Sequence, residues 1–598
     1  MGQNLRKLPT GIQNFEDLRT GGYIYIDKTM YIHRLITQGK PYFLSRPRRF
    51  GKSLLLSTMK AYFEGKRELF EGLAITELTR DDPDAFAEYP VFYFDFNGAN
   101  YSKVKGTINQ IRQNTEQMII RLPDVTDTVG ENVEADRKEA DDPGDPQKTD
   151  EETGSGTQRN NTEDTKETTQ TIEDVLDEHL RRWEKIYGFD PANKTLSARF
   201  KFLLEAATKQ TGRRAVVLVD EYDKPLLESN PVLDEYNRAV FKGFFGTLKS
   251  YDAYLKFVFI TGVTKFSKVS IFSDLNQLID ISLDERYSGI CGISEAEIRT
   301  NLCPEVEALA QRRELTVEEC FDKLKCMYDG YHFAEISDGM YNPFSLLNAF
   351  SEKKFGFYWF ESGTPTFLIQ KMKETRFDPK TITESRIYAD EKTISDYRTD
   401  NRNPVPLLYQ TGYLTIRNYN KKYNSYILGY PNDEVKYGFL DSLVPLLLHQ
   451  DEPDQIEETP LNVVSFGMDL DSGNVDNIRD RLTALFASLP YPEGNPDEFD
   501  KYIERDFQNV IYITFMLLGQ YVKAQVHNAV GRADVIVETD DYVYIFEFKR
   551  DKTAAEALQQ IEDKGYALPY STDPRTLFKI GVNFDSLKRN ISEWEVLR

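Results

Sequence analysis

Read for the alternation of apolar and polar positions, the chain changes character twice. Residues 41–64 (PYFLSRPRRFGKSLLLSTMKAYFE) open with a short apolar run, pass through a turn, and continue with Leu54, Leu55, Thr58, Met59 and Tyr62 at helical spacing. That pattern predicts strand, turn and helix. YPVFYFDFNGA reads as a second strand ending near Asp95. RRAVVLVDEYDKPL is an unbroken apolar run closed by acids, which suits the C-terminal end of a buried parallel strand, and LKFVFITGVTKF repeats the theme. With a helical pattern around Ile172 to Tyr187, strands and helices alternate. This predicts a three-layer α/β/α domain over residues 1–280. Residues 281–455 lose the alternation and show short helical patterns between aromatic loops such as YDGYHF and QTGYLTI. They are expected to form a mostly helical middle region without a fixed-period repeat. The polar, Pro-flanked stretch His449 to Pro460 reads as a linker. Residues 461–598 return to helices followed by strands, a C-terminal α/β domain.

One place breaks the strand pattern. In GRADVIVETDDYVYIFEFKRD (Gly531 to Asp551) an acid opens an apolar strand, and Glu547 and Lys549 interrupt the next. A two-residue turn at Asp540-Asp541 with Thr539 facing Tyr542 sets Asp534 opposite Glu547. On the second strand Val543, Ile545, Glu547 and Lys549 then share one face, and Tyr544, Phe546 and Phe548 the other. Asp534, Glu547 and Lys549 converge at one end of one face. Two carboxylates there suit Mg2+, with Lys549 placed to orient or deprotonate a water, and the implied chemistry is phosphodiester hydrolysis. The plainer reading is a surface ion pair on an edge strand. Three charges at one end of otherwise apolar strands favour the metal site. Glu504, in the preceding helix, could add an acid, and Gln560, in the following helix, could reach the same end.

A second candidate lies at Gly51-Lys52-Ser53, between a predicted strand and a predicted helix. Backbone N–H groups at such a helix start hold phosphate oxygens, Lys52 would neutralise them, and the Ser53 hydroxyl would bind Mg2+. The general phosphate-loop pattern demands Gly where Arg46 stands, so the motif is partly met. VVLVDEYD strengthens it: Asp220 could hold Mg2+ through water and Glu221 could polarise an attacking water. Asp223 reads instead as a cap of the following helix. Thr261 and Thr264 are candidate sensors of the terminal phosphate.

Composition narrows the classes. The formal net charge is −23, which argues against a general nucleic-acid coat. Residues 124–170 carry 15 acids and 5 bases with almost no apolar content, and read as a disordered acidic insert. Arg505, Arg532, Arg550 and Lys552 still supply local positive charge beside the proposed metal site. Cys291, Cys303, Cys320 and Cys326 form no CxxC pair and the five histidines are scattered, against a zinc site. The N-terminus lacks the apolar core of a secretory signal, and no apolar run reaches membrane-spanning length. A cytoplasmic protein with reduced thiols and no membrane contact is expected.

The motifs YIYIDKT, RPRRFGKS, LVDEYDKP, TGVTKFSKVSIFSDLNQLIDIS, YDGYHF, YNPFSLL, QTGYLTI, GRADVIVE, YIFEFK and ALQQIEDKGYA together resemble a two-part bacterial family. Its members join an AAA-ATPase-like P-loop NTPase domain to a PD-(D/E)XK-superfamily, restriction-endonuclease-like domain. The RPRRFGKS form resembles the family's own loop. The resemblance implies ATP and Mg2+ as cofactors. It places Arg49, Gly51, Lys52, Ser53 and Asp220 at the nucleotide, with Glu221 catalytic. In the C-terminal domain it implies Asp534, Glu547 and Lys549, supported by Glu504 and Gln560. The expected protein is an ATP-dependent or ATP-gated Mg2+ nuclease acting on DNA or RNA, with an oligomer allowed. The other class is a nucleotide-responsive protein whose nuclease-like domain binds nucleic acid or a partner without cutting.

Overall fold

A computed structural model describes residues 6–39, 41–98, 101, 171–227, 231–265, 277–361, 368, 372, 375, 382, 387–395, 403–447, 462–488, 499–526 and 533–598. The acidic segment 124–170 and the linker 449–460 lie outside these residues.

Five parallel strands form the N-terminal sheet: β1 (Tyr42–Ser45), β2 (Val91–Asp95), β3 (Ala215–Asp220), β4 (Leu255–Gly262) and β5 (Ile279–Asp280). Their spatial order is β2-β3-β4-β1-β5, so β4 separates the strand before the Gly-Lys-Ser turn from the strand ending in Asp220. β3 is buried at every position, as a strand covered on both faces must be. On one face Phe92 and Phe94 pack edge-on against Trp183 of the helix Ile172–Tyr187 and Phe200 of the helix Leu196–Thr211. On the other, Phe257 meets Phe63 of the helix Lys52–Phe63. The three layers predicted from the alternation are therefore present, and β5 ends them at Asp280.

The middle region has a helical core in which Leu309, Phe321 and Leu346 are buried together, from the helices Cys303–Arg313, Val317–Tyr328 and Pro343–Glu352. Two short strands, β6 (Ile293–Ser294) and β7 (Met340–Tyr341), pair antiparallel beside it. It also holds a sheet that the sequence reading treated as aromatic loops. This sheet comprises β8 (Ile387–Ala389), β9 (Thr415–Asn420) and β10 (Ser425–Gly429), with β10 in the centre and antiparallel to both neighbours. Short helices Glu391–Ser395 and Val405–Gln410 lie between β8 and β9 in sequence.

The C-terminal sheet runs in sequence order: β11 (Lys523–Val526), β12 (Val535–Glu538), β13 (Tyr542–Arg550), β14 (Thr576–Asp585) and β15 (Asn590–Leu597). Only the β13–β14 pair is parallel, and its crossover is the helix Ala554–Asp563. A Thr553–Glu556 capping box starts that helix by satisfying its first free N–H groups. Gly581 lets it lie close on the sheet, since a Cβ there would stand 2.3 Å from the Ala554 carbonyl oxygen. The helix Phe499–Leu518 covers the opposite face, with Phe507 and Phe515 against Phe548 and Phe546.

Candidate functional site

Strand alternation decides where the charges of β13 go. Phe546 and Phe548 face the helix Phe499–Leu518, so Glu547 and Lys549 face the helix Ala554–Asp563. The pairing Val535–Phe546 continues by one step to set Asp534 beside Glu547, and the turn closes through Thr539 N–H to the Tyr542 carbonyl at 2.9 Å. The sequence-derived register is thus the observed one. Lys549 Nζ donates to Glu547 Oε1 at 2.8 Å and to Gln560 Oε1 at 2.6 Å. The Gln560 amide also donates to Glu547 Oε1. Asp534 Oδ2 accepts the Phe548 N–H at 2.8 Å.

The other Glu547 oxygen, Oε2, is buried without a hydrogen-bond partner, on a residue only 2 % exposed. An unsatisfied buried carboxylate oxygen costs free energy that a cation would repay. Burial first, then the charge of Glu547, pushes the Asp534 carboxyl up to about 6, against the opposing pull of the Phe548 N–H and Lys549. Among the described residues no third acid joins the pair. Two carboxylates suit a hard cation that keeps several of its waters, as Mg2+ does. Glu504 lies in the helix Phe499–Leu518, but its side chain, like that of Arg505 and the whole of Arg532, is outside the described residues.

A pH effect follows from Asp534. Its folded value lies above the unfolded value of ~3.9. Without metal, folding is therefore unpenalised below the unfolded value and penalised progressively as pH rises toward 6. Asp534→Asn is expected to be more stable than the wild type in chelator at pH 7.5, by up to about 3 kcal/mol, and so to melt higher. The advantage should vanish near pH 4. Thermal melts across that range check it.

At the N-terminal site, the loop after β1 reaches the helix Lys52–Phe63 through two left-handed residues, Arg49 (φ 66°) and Gly51 (φ 91°). Lys52 is 3 % exposed; its ammonium donates to the carbonyls of Arg46 and Pro47, each at 3.1 Å, and stands 3.5 Å from Glu221 Oε1. Glu221 is itself left-handed (φ 51°), a strained geometry for a residue with a Cβ, of the kind that gathers at functional sites. Asp220 ends β3, buried, with Oδ1 lacking a partner and Oδ2 accepting from the Tyr93 hydroxyl at 3.4 Å. Burial first, then the charge of Glu221, pushes its carboxyl up to about 7, while Ser53 and Lys52 pull the other way. An orphan carboxylate oxygen beside a serine at a helix start fits a hydrated Mg2+.

Arg46, where the general loop pattern has Gly, turns away from this site. Its buried guanidinium donates to the carbonyls of Ser45, Ser282 and Tyr287 and lies 4.1 Å from the Phe333 ring centroid. Middle-region motifs grip the rest of the loop. Phe50 packs between Tyr331 and Phe333, Trp359 Nε1 donates to the Arg48 carbonyl at 3.3 Å, and Arg49 stacks 4.7 Å over Phe344. Gly412 lies against Pro47, where a Cβ would come within 2.8 Å of the proline.

Two expectations change. Asp223 does not cap the following helix with its side chain. Its carboxylate instead accepts the N–H groups of Val263 and Thr264 and the Thr264 hydroxyl, tying the acidic motif to the segment after β4. Thr264 therefore spends its hydroxyl on Asp223 and is no free phosphate sensor, whereas the buried Thr261 hydroxyl has no partner. The contact joins residues 41 positions apart, which spacing alone does not reveal. Sequence reasoning also gave Asp95 no role. It ends β2 in register with Asp220, and the signal was the same one used for Asp220, a strand closing on an acid.

Two family models match the chain, one toward each end. A family model described as predicted AAA-ATPase matches residues 9–142 and 158–272. One described as PD-(D/E)XK nuclease superfamily matches residues 503–594. The chain is 32% identical over 594 residues, 98% of each chain, to an "Uncharacterized protein in vnfD 5'region" of Azotobacter chroococcum mcd 1. No solved structure matches. Among the described residues no helix is long and apolar enough to cross a membrane. The chain belongs to the family that joins a predicted AAA-ATPase domain to a C-terminal PD-(D/E)XK nuclease-superfamily domain.

Proposed function

We propose that this protein binds ATP and cuts phosphodiester bonds with Mg2+, the ATPase-like part gating or driving a C-terminal nuclease. Its parts are an ATPase-like domain over residues 1–280, a middle region over 281–455, and a nuclease domain over 461–598. The observation that carries the reading is Glu547 Oε2, buried and unpartnered beside Asp534, with Lys549 held over the same face by Gln560. Asp534 and Glu547 would hold the cation, which when bound supplies charge stabilisation at the scissile phosphate. Lys549 would orient or deprotonate the attacking water. Gln560 fixes the lysine ammonium, so that the amine is positioned before substrate arrives. At the other end, Lys52 and the N–H groups at its helix start would hold phosphates, with Arg49 and Gly51 shaping the loop. Ser53 and Asp220 would hold the nucleotide's Mg2+, and Glu221 would polarise a water.

The test is a cleavage assay on single- and double-stranded DNA and RNA, with and without Mg2+ and ATP. Cleavage that requires Mg2+ and changes with ATP is expected. Substrate binding with no cleavage in any arm would assign the protein to the non-cutting, nucleotide-responsive class.

A further inference from the structure

The β8–β10 sheet has an arrangement that neither proposed catalytic site uses. In sequence the order is strand, helix, helix, strand, strand, and in space β10 lies between β8 and β9. This is the topology of a winged helix, a helix pair with a protruding β-hairpin. Among its buried parts are Val405, Leu407, Leu408 and Gln410 of the second helix, which therefore cannot enter a groove of nucleic acid. The hairpin is left outside. Arg417, Asn418 and residues 421–424 (KKYN) are exposed, with Tyr423 at 68%.

Its chemistry differs from the rest of the chain. Residues 401–432 contain four cations (Arg402, Arg417, Lys421 and Lys422) and no acid, in a protein with 97 acids among 598 residues. A charge run is usually a solvated surface, but such surfaces mix both signs. Here Lys421 and Lys422 stand side by side at the hairpin tip, where Lys421 is contacted by one acid, Glu335, at 3.8 Å, and Lys422 lies 5.1 Å from the Tyr423 ring centroid. One exposed aromatic at the tip is too few for the successive stacking platforms that single strands need. Clustered lysines with asparagines suit phosphate oxygens instead.

We propose that the β9–β10 hairpin is a docking arm for the sugar–phosphate backbone of a nucleic-acid duplex, with Lys421 and Lys422 as its contacts and Arg417 behind them. The arm rests on the nuclease reading, to which it adds a substrate-holding surface built by the middle region. It explains how an acidic protein holds a polyanion: the attraction is local.

The experiment measures duplex DNA and duplex RNA binding by fluorescence anisotropy against salt, in chelator so that strands stay intact. Lys421→Ala/Lys422→Ala is expected to lower affinity about tenfold or more and to flatten the log–log salt slope by about 2. Lys421→Glu/Lys422→Glu should lower it further, with ATP affinity unchanged in both variants as the check on folding. Unchanged affinity and slope in a variant of a duplex-binding wild type would overturn the arm alone. A wild type that binds no duplex at any salt would overturn the arm, and the nuclease reading would then stand or fall on cleavage of single strands. Binding to phosphatidylserine vesicles in place of DNA would also overturn the arm.

Discussion

Glu547→Ala is expected to lower Mg2+-dependent cleavage about 1000-fold, with ATP affinity unchanged. Glu547 Oε1 is already committed to Lys549 and Gln560, so Oε2 is the oxygen left for a cation. Removing the side chain takes away one of the two carboxylates that the described residues bring together, and with it a partner that orients Lys549. Gln560 alone would then hold the lysine. Glu547→Gln separates charge from shape. It retains the volume but not the anion, so cleavage should fall nearly as far. Meanwhile the melting temperature in chelator should fall, because the substitution leaves the Lys549 ammonium without the carboxylate it pairs with. Nicking assays on both variants, beside ATP titrations, make the measurement. Equal nicking by wild type and Glu547→Ala would remove the catalytic assignment.

Lys52→Ala should weaken ATP binding about 100-fold, the loss of a charge-assisted contact worth ~1.5–3 kcal/mol. Lys52 is nearly inaccessible, and its ammonium is held by two loop carbonyls and Glu221. Phosphate binding would exchange these weak anchors for a stronger one, so the nucleotide meets a cation already in place. Basal cleavage without ATP should be unaffected, since Lys52 opens a helix packed on the N-terminal sheet and not on the sheet that carries Glu547. Calorimetric titration decides it: an unchanged Kd in the variant would sink the phosphate-loop reading.

What the sequence disclosed depends on how far apart the interacting residues are. The hairpin register was legible because β12 and β13 are joined by a two-residue turn, and period-2 alternation then fixes every facing pair. Lys52, Ser53 and Asp220 were legible because a strand leads into each of the two motifs. Gln560 was found because the helix carrying it follows β13 directly. The role of Asp223 was hidden, since its partners come from the segment after β4, 40 and 41 positions further on. β8 was hidden too: three residues are too few to show a period. Arg46 looked like a defect in the motif because its partners, Ser282, Tyr287 and Phe333, lie more than 200 residues away.

Every position from Arg46 to Phe50 is braced by something the chain makes after residue 280. A fragment stopping there would keep all five strands yet lose the scaffolding around its own turn, leaving Phe50 naked to water. The ATPase-like end is thus not modular in the engineering sense. It can be inherited or transplanted only together with the aromatic collar that shapes it, however distinct the two chemistries look on paper.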